Sequence, residues 1–399
     1  MVDCDILIAG GGVNGLALAL ALDQFGFAVT LADAEIEAER PRDVRAYALA
    51  QTSVNLMRRL GVWQAIAPHA EPMREVKVSD GRVGPGASPL SLEFGPDDAG
   101  GEPPGMMVEQ RHIRPALIEA LKSSEVTVKF GAQVSDVAVG RASVSAKIGT
   151  SVQRARLIVA ADGRASALGA AAGIKRVGWG YGQSAIVMTL AHTAPHNGVA
   201  HQLFTPAGPL ALLPLRDNRT CVVWTERSEQ AKALLALSSD QLLTAFAPLV
   251  GDALGEISIE AGPASFPLQL SIAERFVADR LALIGDAAHV VHPLAGQGLN
   301  AGLKDVAALA EVLGDAARRG EDIGRPEVLA RYESWRRFDV AQLAMMTDTV
   351  NRAFSNDNPA LRAGRDLALG LISRLGGLRR TLAREAMGET GDLPRLLRP

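Results

Sequence analysis

The feature that most constrains the fold of this 399-residue chain is a glycine-rich turn near its N-terminus. Gly10, Gly12 and Gly15 follow a strand-like segment and open a segment rich in Ala and Leu that is typical of a buried helix. A second strand pattern follows that helix and ends at Asp33, which completes a βαβ unit. Glycine at these places permits a tight turn, close approach of a ligand to the backbone, and tight helix–strand packing. The arrangement predicts a dinucleotide-binding unit.

The helix of this unit would point its free N–H groups at a pyrophosphate. Asp33 stands about twenty residues on, where an acidic residue accepts the ribose hydroxyls. The motif does not distinguish NAD from FAD, and a glycine turn without a ligand is the competing interpretation. The cofactor-binding residues predicted here are Gly10, Gly12, Val13, Asn14, Gly15 and Asp33.

A second glycine-rich segment, 281–300, indicates a flavin. Asp286 follows an apolar run typical of a buried strand, where its carboxylate can accept a hydrogen bond from a ribityl hydroxyl. A helix begins near Leu299, and its positive end suits the charge that a reduced flavin carries near N1 and the C2 carbonyl. Alternatively, Asp286 caps a helix and the glycines are ordinary turn residues. The contacts predicted in this segment are Gly285, Asp286, Pro293, Gly296, Gln297, Gly298, Leu299 and Asn300.

A third motif, Asp162-Gly163, follows the strand pattern at 157–161. A short polar turn with a fixed Asp can close over the pyrophosphate side of a dinucleotide. An isolated dipeptide carries little information, so its weight comes from its place between the other two motifs.

The order of the motifs predicts a nucleotide-binding domain interrupted by an insert. We expect an α/β protein with a Rossmann-type FAD-binding domain, an inserted antiparallel-sheet substrate domain and a C-terminal helical region. The Gly- and Pro-rich segment 85–105 is expected to be a long surface loop. The predicted boundaries are 1–175 and 273–345 for the FAD-binding domain, 176–272 for the substrate domain and 346–399 for the helical region.

The composition of the chain limits the kinds of partner and ligand that we expect. Hydrophobic residues make up 48% and charged residues 21%, which is typical of a soluble globular protein with a large core. A net charge of -3 provides no basic field, so no nucleic-acid partner is expected. Cys4 and Cys221 are too few for a zinc site, and His289 and His292 lack a nearby third ligand, so no metal is expected. The first residues lack the features of a signal peptide, which predicts a cytoplasmic protein.

The three motifs, in this order, resemble those of the class A flavoprotein aromatic hydroxylases, the group that includes para-hydroxybenzoate hydroxylase. The segments 181–187, 204–215 and 286–300 are similar to the ubiquinone-biosynthesis hydroxylase (UbiH/UbiF/VisC-like) family, and 386–388 fits that family's tail. The resemblance covers nearly the whole chain. It implies a para-hydroxybenzoate-hydroxylase-like fold.

The resemblance also implies FAD as a tightly held, non-covalent cofactor and NADH or NADPH as the reductant. It implies that O2 is activated as a C4a-hydroperoxyflavin, which transfers an OH group to the ring of a phenol. Arg45 and Gln110 stand where the family contacts the phosphate or ribityl part of the flavin. One departure bears on substrate contacts, because Gln202-Leu203 stand where the family often has an acid and a base.

The expected substrate is a hydrophobic phenol, in particular a polyprenylated ubiquinone precursor. The strand 210–215 and the loop 292–298 contain few polar groups, and the nearest arginine that could clamp a carboxylate, Arg216, lies beyond the strand. His292 is a candidate for deprotonating the phenol, but a structural histidine is the commoner case, so the catalytic residues stay unknown. The predicted substrate contacts are Leu210, Leu212, Pro214 and Pro293.

Several alternatives stay open. The chain could be a flavin reductase or halogenase, a non-catalytic flavin-binding partner in a quinone-synthesis complex, a plain NAD dehydrogenase, or a hydroxylase of a small soluble phenol. The arginine-rich amphipathic segment 361–387 could rest on the inner membrane or another protein, or pack on its own domain. The sequence leaves open the ring position, the choice between NADH and NADPH, and whether the chain forms an oligomer.

Overall fold

The computed structural model describes residues 2–39, 43–81, 87–98, 101–355 and 387–399, together with the single positions 377, 380, 381 and 384. The strands are β1 (Cys4–Ala9), β2 (Val29–Asp33), β3 (Ala46–Ala50), β4 (Glu71–Met73), β5 (Glu75–Gly81), β6 (Ala87–Phe94), β7 (Gly105–Glu109), β8 (Thr127–Phe130), β9 (Val134–Val139), β10 (Val144–Ile148), β11 (Ser151–Ala160), β12 (Arg176–His192), β13 (Val199–Thr205), β14 (Gly208–Leu215), β15 (Arg219–Arg227), β16 (Ile257–Ala273), β17 (Val277–Ala278), β18 (Leu281–Leu283) and β19 (His289–Val290). In these ranges the α-helices are α1 (Val13–Gln24), α2 (Gln51–Arg59), α3 (Trp63–Ile66), α4 (Gln110–Leu121), α5 (Ala167–Ala171), α6 (Ser228–Leu235), α7 (Ser239–Val250), α8 (Gln297–Arg318) and α9 (Pro326–Phe354).

The N-terminal βαβ unit belongs to a largely parallel sheet. Its strands run in the order β17-β18-β11-β1-β2-β8, and each neighbouring pair from β18 to β8 is parallel. Strand β1 is an almost unbroken apolar run because a parallel sheet is covered on both faces. Helix α1 is apolar around nearly its whole circumference and is buried in the main core. The predicted Rossmann-type fold is confirmed.

A second sheet has the order β19-β16-β12-β15-β14-β13-β5-β6. Its pairs are antiparallel except β13–β5, which is parallel. This is the sheet expected at 176–272, but it also takes β5 and β6 from before that range and β19 from after it. The domain boundaries themselves stay predictions. The prediction of a loop at 85–105 is wrong for residues 87–94, which form β6.

The two faces of the second sheet have different neighbours. On one face, Leu210, Leu212 and Trp224 form a cluster with residues of α6 and α7. On the other, Val187, Leu215 and neighbouring apolar residues pack against the third sheet, whose strand order is β3-β7-β4. We call this second surface, with Val187 and Leu215, the inner face.

The C-terminal end of helix α9 lies over the inner face of the second sheet. Asn351 donates a hydrogen bond to Gln183 Oε1 at 3.1 Å, and the rings of Phe354 and Phe204 have centroids 4.1 Å apart. The end of α9 lies within the predicted helical region 346–399. Much of the remainder, including nearly all of 361–387, lies outside the described residues. Within the described part of the chain, no helix has the length and apolar character needed to cross a membrane.

Candidate functional site

The three glycines of the first motif have different surroundings, which explain in different ways why glycine stands at each position. Gly10 has a φ of +115°, and a Cβ there would overlap the carbonyl oxygen of Ala161. A Cβ on Gly15 would overlap the carbonyl oxygen of Gly10. A Cβ on Gly12, whose φ of -72° any residue can adopt, would meet no atom within 4 Å. Packing therefore requires glycine at the first and last positions of the motif. At the middle position, Gly12 leaves bare backbone facing open space.

Asp33 holds the glycine turn from the end of β2. Its buried carboxylate accepts hydrogen bonds from the backbone N–H of Gly11 at 2.9 Å and of Glu35 at 3.0 Å. A ribose contact by Asp33 remains a prediction.

Arg114 on α4 is a residue of this region that the sequence analysis missed. Its guanidinium donates to the carbonyl of Gly11 at 3.0 Å and pairs with Glu37, and the side chain is only 6% exposed. Its second terminal nitrogen is buried without a hydrogen-bond partner. A single arginine early in an amphipathic helix carries no signal of such a role.

Asn14 connects the first motif to the last. Its carboxamide lies where a Cβ on Gly285 or on Gly302 would stand, so both glycines are needed for α1 to pack there. The carboxamide oxygen is buried without a partner. The neighbouring Val13 points into the main core, so any contact it makes with a ligand must come from its backbone N–H.

The Asp162-Gly163 turn lies directly beside the glycine turn. A Cβ on Gly10 would stand 3.1 Å from the backbone nitrogen of Asp162. One carboxylate oxygen of Asp162 accepts from the N–H of Leu168 at 3.2 Å, and the other is buried without a partner. Gly163 has a φ of +81°, which a side chain would disfavour. The two motifs therefore meet in the structure.

The loop that carries Asp286 is held in place by Arg176, the first residue of β12. Arg176 donates to the carbonyls of Ala287 and Asp286, the latter at 3.2 Å. Burial lowers the pKa of Arg176, and the charges of Asp286 and Asp162 oppose that effect. The carboxylates of two motifs thus lie around one arginine, and the Asp286 residue itself is exposed.

Asp305 of α8 also holds the loop that carries Asp286. Its carboxylate, with no exposed surface, accepts from Gly285 N at 2.9 Å, His289 Nε2 at 2.6 Å and Arg336 Nε at 2.8 Å. Burial would raise the pKa of Asp305, but the interactions with His289 and Arg336 lower it overall. The sequence analysis missed Asp305 and Arg336, and a charged residue on the buried face of an apolar helix was the available signal.

Arg45 and Gln110 lie together, on two neighbouring strand ends. Arg45 donates to Asp43 at 2.9 Å and to Gln110 Oε1 at 3.4 Å, and the Tyr47 hydroxyl donates to the same oxygen at 3.0 Å. Burial raises the pKa of Tyr47 to about 12, and the charges of Asp43 and Asp286 add to the effect. Arg45 and Gln110 line a cavity of about 490 Å³ that also borders Glu35, Glu37 and Arg114.

The residues of the 293–300 segment have different surroundings, and their predicted cofactor contacts stay predictions. Pro293 is exposed, and a Cβ on Gly298 in the first turn of α8 would meet nothing within 4 Å. Gln297 lines a separate cavity of about 390 Å³ between α8 and α9, and Leu299 packs against the main core.

The side chain of Asn300 is occupied by protein groups. Its oxygen accepts from Ala50 N at 2.9 Å and Ser53 Oγ at 2.7 Å. Its nitrogen donates to the carbonyls of Ala48 at 2.8 Å and Gly296 at 3.1 Å. The side chain of Asn300 therefore fixes the start of α8 to β3 and α2, and its predicted cofactor contact stays a prediction.

The predicted substrate contacts on β14 lie on the face of the strand that packs with helices. Leu210 and Leu212 pack with α6 and α7, and strand alternation places Pro214 on that same outer side. The residue of β14 that packs on the inner face with Leu215 is Leu213. A shift of one residue exchanges the faces of a strand, so Leu213 and Leu215, and not Leu210 and Leu212, face the third sheet. The substrate contacts stay a prediction.

His292 lies in the core between the second sheet and α9. It has no exposed surface, and neither ring nitrogen has a hydrogen-bond partner. Burial lowers its pKa to about 4, and the charge of Asp348 opposes that shift. No group of three or more His, Cys, Asp or Glu side chains suited to a metal occurs in the ranges that the structure describes.

These residues fit FAD. Gly12 and Gly298 leave open space at the start of α1 and of α8, where bare N–H groups and positive helix ends suit a pyrophosphate and a flavin ring. Buried polar atoms without a partner, on Arg114, Asn14 and Asp162, surround the junction of the motifs. Such atoms are rare in folded proteins unless a ligand or water satisfies them.

Comparisons with known proteins agree with this fit. The family described as FAD binding domain matches residues 3–347. The chain is 40% identical to ubiquinone hydroxylase UbiL of Rhodospirillum rubrum, over 99% of this chain and 92% of that protein. It is 36% identical to 3-demethoxyubiquinol 3-hydroxylase of Escherichia coli, over 96% and 98% respectively.

Among solved structures, p-nitrophenol 4-monooxygenase PnpA of Pseudomonas putida is similar with a TM-score of 0.81, over 97% of this chain and 99% of that one. Its sequence identity of 19% supports the shared fold alone. The family match and the two curated relatives confirm the predicted cofactor, FAD, and the predicted enzyme class. The chain belongs to the ubiquinone-biosynthesis hydroxylase family of FAD-dependent monooxygenases.

Proposed function

We propose that this protein hydroxylates the aromatic ring of a polyprenylated phenol on the route to ubiquinone, using NADH or NADPH and O2. The observation that carries the proposal is the apolar inner face of the second sheet, which lies opposite the third sheet and its Arg45–Gln110 cluster. The names of the two curated relatives, a ubiquinone hydroxylase and a 3-demethoxyubiquinol 3-hydroxylase, support the substrate class.

Bound FAD supplies the redox chemistry, since it takes electrons from the nicotinamide and activates O2. The chain's own part is to hold and orient that cofactor. Gly12 and the start of α1 would bind the pyrophosphate, and Asp33 would bind the ribose. Arg45 and Asp286, whose charges interact, would bind the central part of the molecule.

The inner face would hold the phenol and exclude water. Leu213 and Phe266 are partly buried apolar side chains there. Excluding water protects a reactive oxygen species from side reactions. Arg45, whose guanidinium lies 5.4 Å from the Phe266 ring centroid, is already paired with Asp43, and Arg216 is exposed beyond β14. Neither of these two arginines is therefore placed to bind a substrate carboxylate through both of its oxygens, which favours an uncharged, hydrophobic phenol.

The test is product analysis with purified holoenzyme, supplied with 2-geranylphenol or with small hydroxybenzoates. We expect coupled NAD(P)H oxidation and a hydroxylated product from the prenylated phenol. Efficient turnover of the small acids alone would replace the proposed substrate with a soluble phenol. NAD(P)H oxidation that no phenol stimulates, in a protein that retains FAD, would favour a non-catalytic partner in a quinone-synthesis complex.

We also propose that the protein meets this substrate at the surface of the inner membrane, because a long prenyl chain partitions into the bilayer. The arginines of 361–387, which lie largely outside the described residues, would attract anionic lipid. Co-sedimentation with vesicles of phosphatidylglycerol should exceed that with phosphatidylcholine and fall with salt. Equal, negligible binding to both vesicles would contradict this proposal.

A further inference from the structure

An ion pair joins the second sheet to the third sheet beside the Arg45–Gln110 cluster. Glu109, the last residue of β7, accepts two hydrogen bonds from the guanidinium of Arg219, at 2.9 and 3.0 Å. Arg219 is the first residue of β15, and the two side chains are only 14% and 13% exposed. Such a bidentate contact fixes orientation as well as distance, because two N–H donors meet two carboxylate oxygens.

Each member of this pair has a further partner. Arg111 donates to Glu109 Oε2 at 2.9 Å, and Arg219 Nε donates to Glu260 of β16 at 2.5 Å. Burial would raise the pKa of Glu109, but the hydrogen bonds from Arg219 and Arg111 lower it overall. The Glu109 carboxylate is therefore ionised at pH 7, and the contact between β15 and β7 carries full charge on both sides.

A second contact joins β15 to the third sheet close to the first. Cys221 stands two residues after Arg219, on the same side of the strand, and it has no exposed surface. Burial raises the pKa of its thiol to about 12, and a hydrogen bond with the backbone of Ala46 opposes that shift. Ala46 of β3 lies directly opposite Glu109 of β7. One side of β15 therefore contacts two paired positions of the third sheet.

Both of these positions are next to a predicted cofactor residue. Ala46 follows Arg45, and Glu109 precedes Gln110. The backbone N–H of Gln110 donates to the carbonyl of Arg45 at 3.0 Å, and the Arg45 guanidinium donates to the Gln110 side chain at 3.4 Å. A shift of Glu109 or Ala46 would therefore move the groups that would bind FAD.

Strand β15 also carries part of the inner face. Val223, two residues after Cys221, packs there, and Leu215 of that face lies directly opposite Arg219 on β14. One strand thus bears the ion pair beside the cofactor cluster and part of the apolar face proposed for the phenol. The separation between phenol and cofactor therefore depends on how β15 sits on β3 and β7.

We propose that Glu109 and Arg219 are positioning residues that hold the second sheet in register with bound FAD. They act through their neighbours Arg45 and Gln110. The inference rests on the hydroxylase function proposed above and on the FAD contacts predicted for those two neighbours. A misplacement of about 1 Å far from the reacting atoms can lower a rate on the order of 100-fold. In the resulting uncoupled turnover, NAD(P)H and a proton reduce O2 to hydrogen peroxide, and the phenol leaves unchanged.

The test is a double-mutant cycle with Glu109→Gln, Arg219→Gln and the variant that carries both changes. Fluorescence titration of the apoprotein gives the FAD dissociation constant. Turnover of holoenzyme with 2-geranylphenol gives the product and the hydrogen peroxide formed per NAD(P)H oxidised. The control is Asp322→Asn, which breaks another bidentate pair, with Arg280 at 3.2 and 2.6 Å, away from the Arg45–Gln110 cluster.

Each single variant should raise the FAD dissociation constant about tenfold, the effect of losing one hydrogen bond between charged groups. Product per NAD(P)H should fall, with hydrogen peroxide making up the difference. The double variant should be no worse than either single variant, because each change already removes the same contact. Arg219→Lys keeps the charge but loses the bidentate geometry, so it should give intermediate values, and it serves as the test if Glu109→Gln does not fold.

Asp322→Asn should lower Tm and leave both readouts at their wild-type values. Unchanged FAD affinity and product yield in both single variants, or effects that multiply in the double variant, would overturn the inference. An equal loss in Asp322→Asn would also overturn it, since the pair would then act only through stability. A wild type that binds FAD and hydroxylates no phenol would overturn the proposed function, and the FAD titrations would still test the pair.

Discussion

Replacing Asp305 by Asn should destabilise the protein and weaken FAD binding together. The change keeps the side-chain shape but removes the charge that Arg336 and His289 share, at contacts of 2.8 and 2.6 Å. Breaking one partner of a fully buried ion pair costs about 3–5 kcal/mol. The asparagine can still accept one hydrogen bond, so we expect a loss of about 3 kcal/mol in unfolding free energy.

The effect on FAD follows from the bond between Asp305 and the N–H of Gly285, at 2.9 Å. Losing that acceptor loosens the loop that carries Asp286. A buried hydrogen bond of this kind contributes about 1–1.5 kcal/mol, which corresponds to roughly a tenfold rise in the dissociation constant of FAD. Urea unfolding of the apoprotein and fluorescence titration with FAD measure the two quantities separately.

The matched control is Asp339→Asn. Asp339 also pairs with Arg336, at 2.7 Å, but its side chain is 30% exposed. A solvent-accessible pair contributes less than about 1 kcal/mol, so this variant should retain wild-type FAD affinity. Equal losses in the two variants, or an unchanged FAD dissociation constant in Asp305→Asn, would refute the argument that the buried carboxylate positions the loop.

Three further predictions follow from packing and burial. Gly12→Ala should keep the wild-type free energy of unfolding and lose FAD affinity. Gly15→Ala should instead destabilise the apoprotein, because the added Cβ overlaps backbone. A loss of stability in both variants would contradict this difference. Leu213→Trp should block hydroxylation in a protein that still binds FAD. Leu212→Trp should instead disturb the packing of α6 and α7. Product analysis measures the first effect, and thermal melting measures the second. Burial lowers the pKa of His292 from 6.5 to about 4, so the unfolded chain binds a proton that the native state excludes. Unfolding free energy should therefore fall by up to about 3 kcal/mol as the pH drops from 6.5 towards 4, and His292→Asn should flatten that fall; parallel pH curves would contradict it.

The local part of the fold and of the cofactor site could be predicted from the sequence. Gly10, Gly15 and Asp33 act within one βαβ unit, where spacing along the chain fixes spacing in three dimensions. The face of β14 could not be predicted in this way, because its sequence GPLALLPL is apolar at every position and the strand is buried on both sides. Alternation of polar and apolar residues is the signal that assigns a face, and here it is absent.

Residues that act across long sequence separations were missed. Arg114 reaches Gly11 over 103 positions, and Arg176 reaches Asp286 over 110. Neither arginine belongs to a short motif, and only tertiary packing brings them to the site. Strand β6 was missed for a related reason, since pairing with β5 overrides the local turn preference of its Gly- and Pro-rich surroundings.

The loop that carries Asp286 shows how the motifs depend on one another. It is held by the Asn14 carboxamide from α1, by the Arg176 guanidinium from β12 and by the Asp305 carboxylate from α8. Each of these groups comes from a different part of the chain, and two of the three carry charge. The exposed Asp286 residue is thereby held in place by its own loop. FAD affinity should therefore respond to changes in buried residues that do not touch the cofactor, because those residues fix the geometry before it binds.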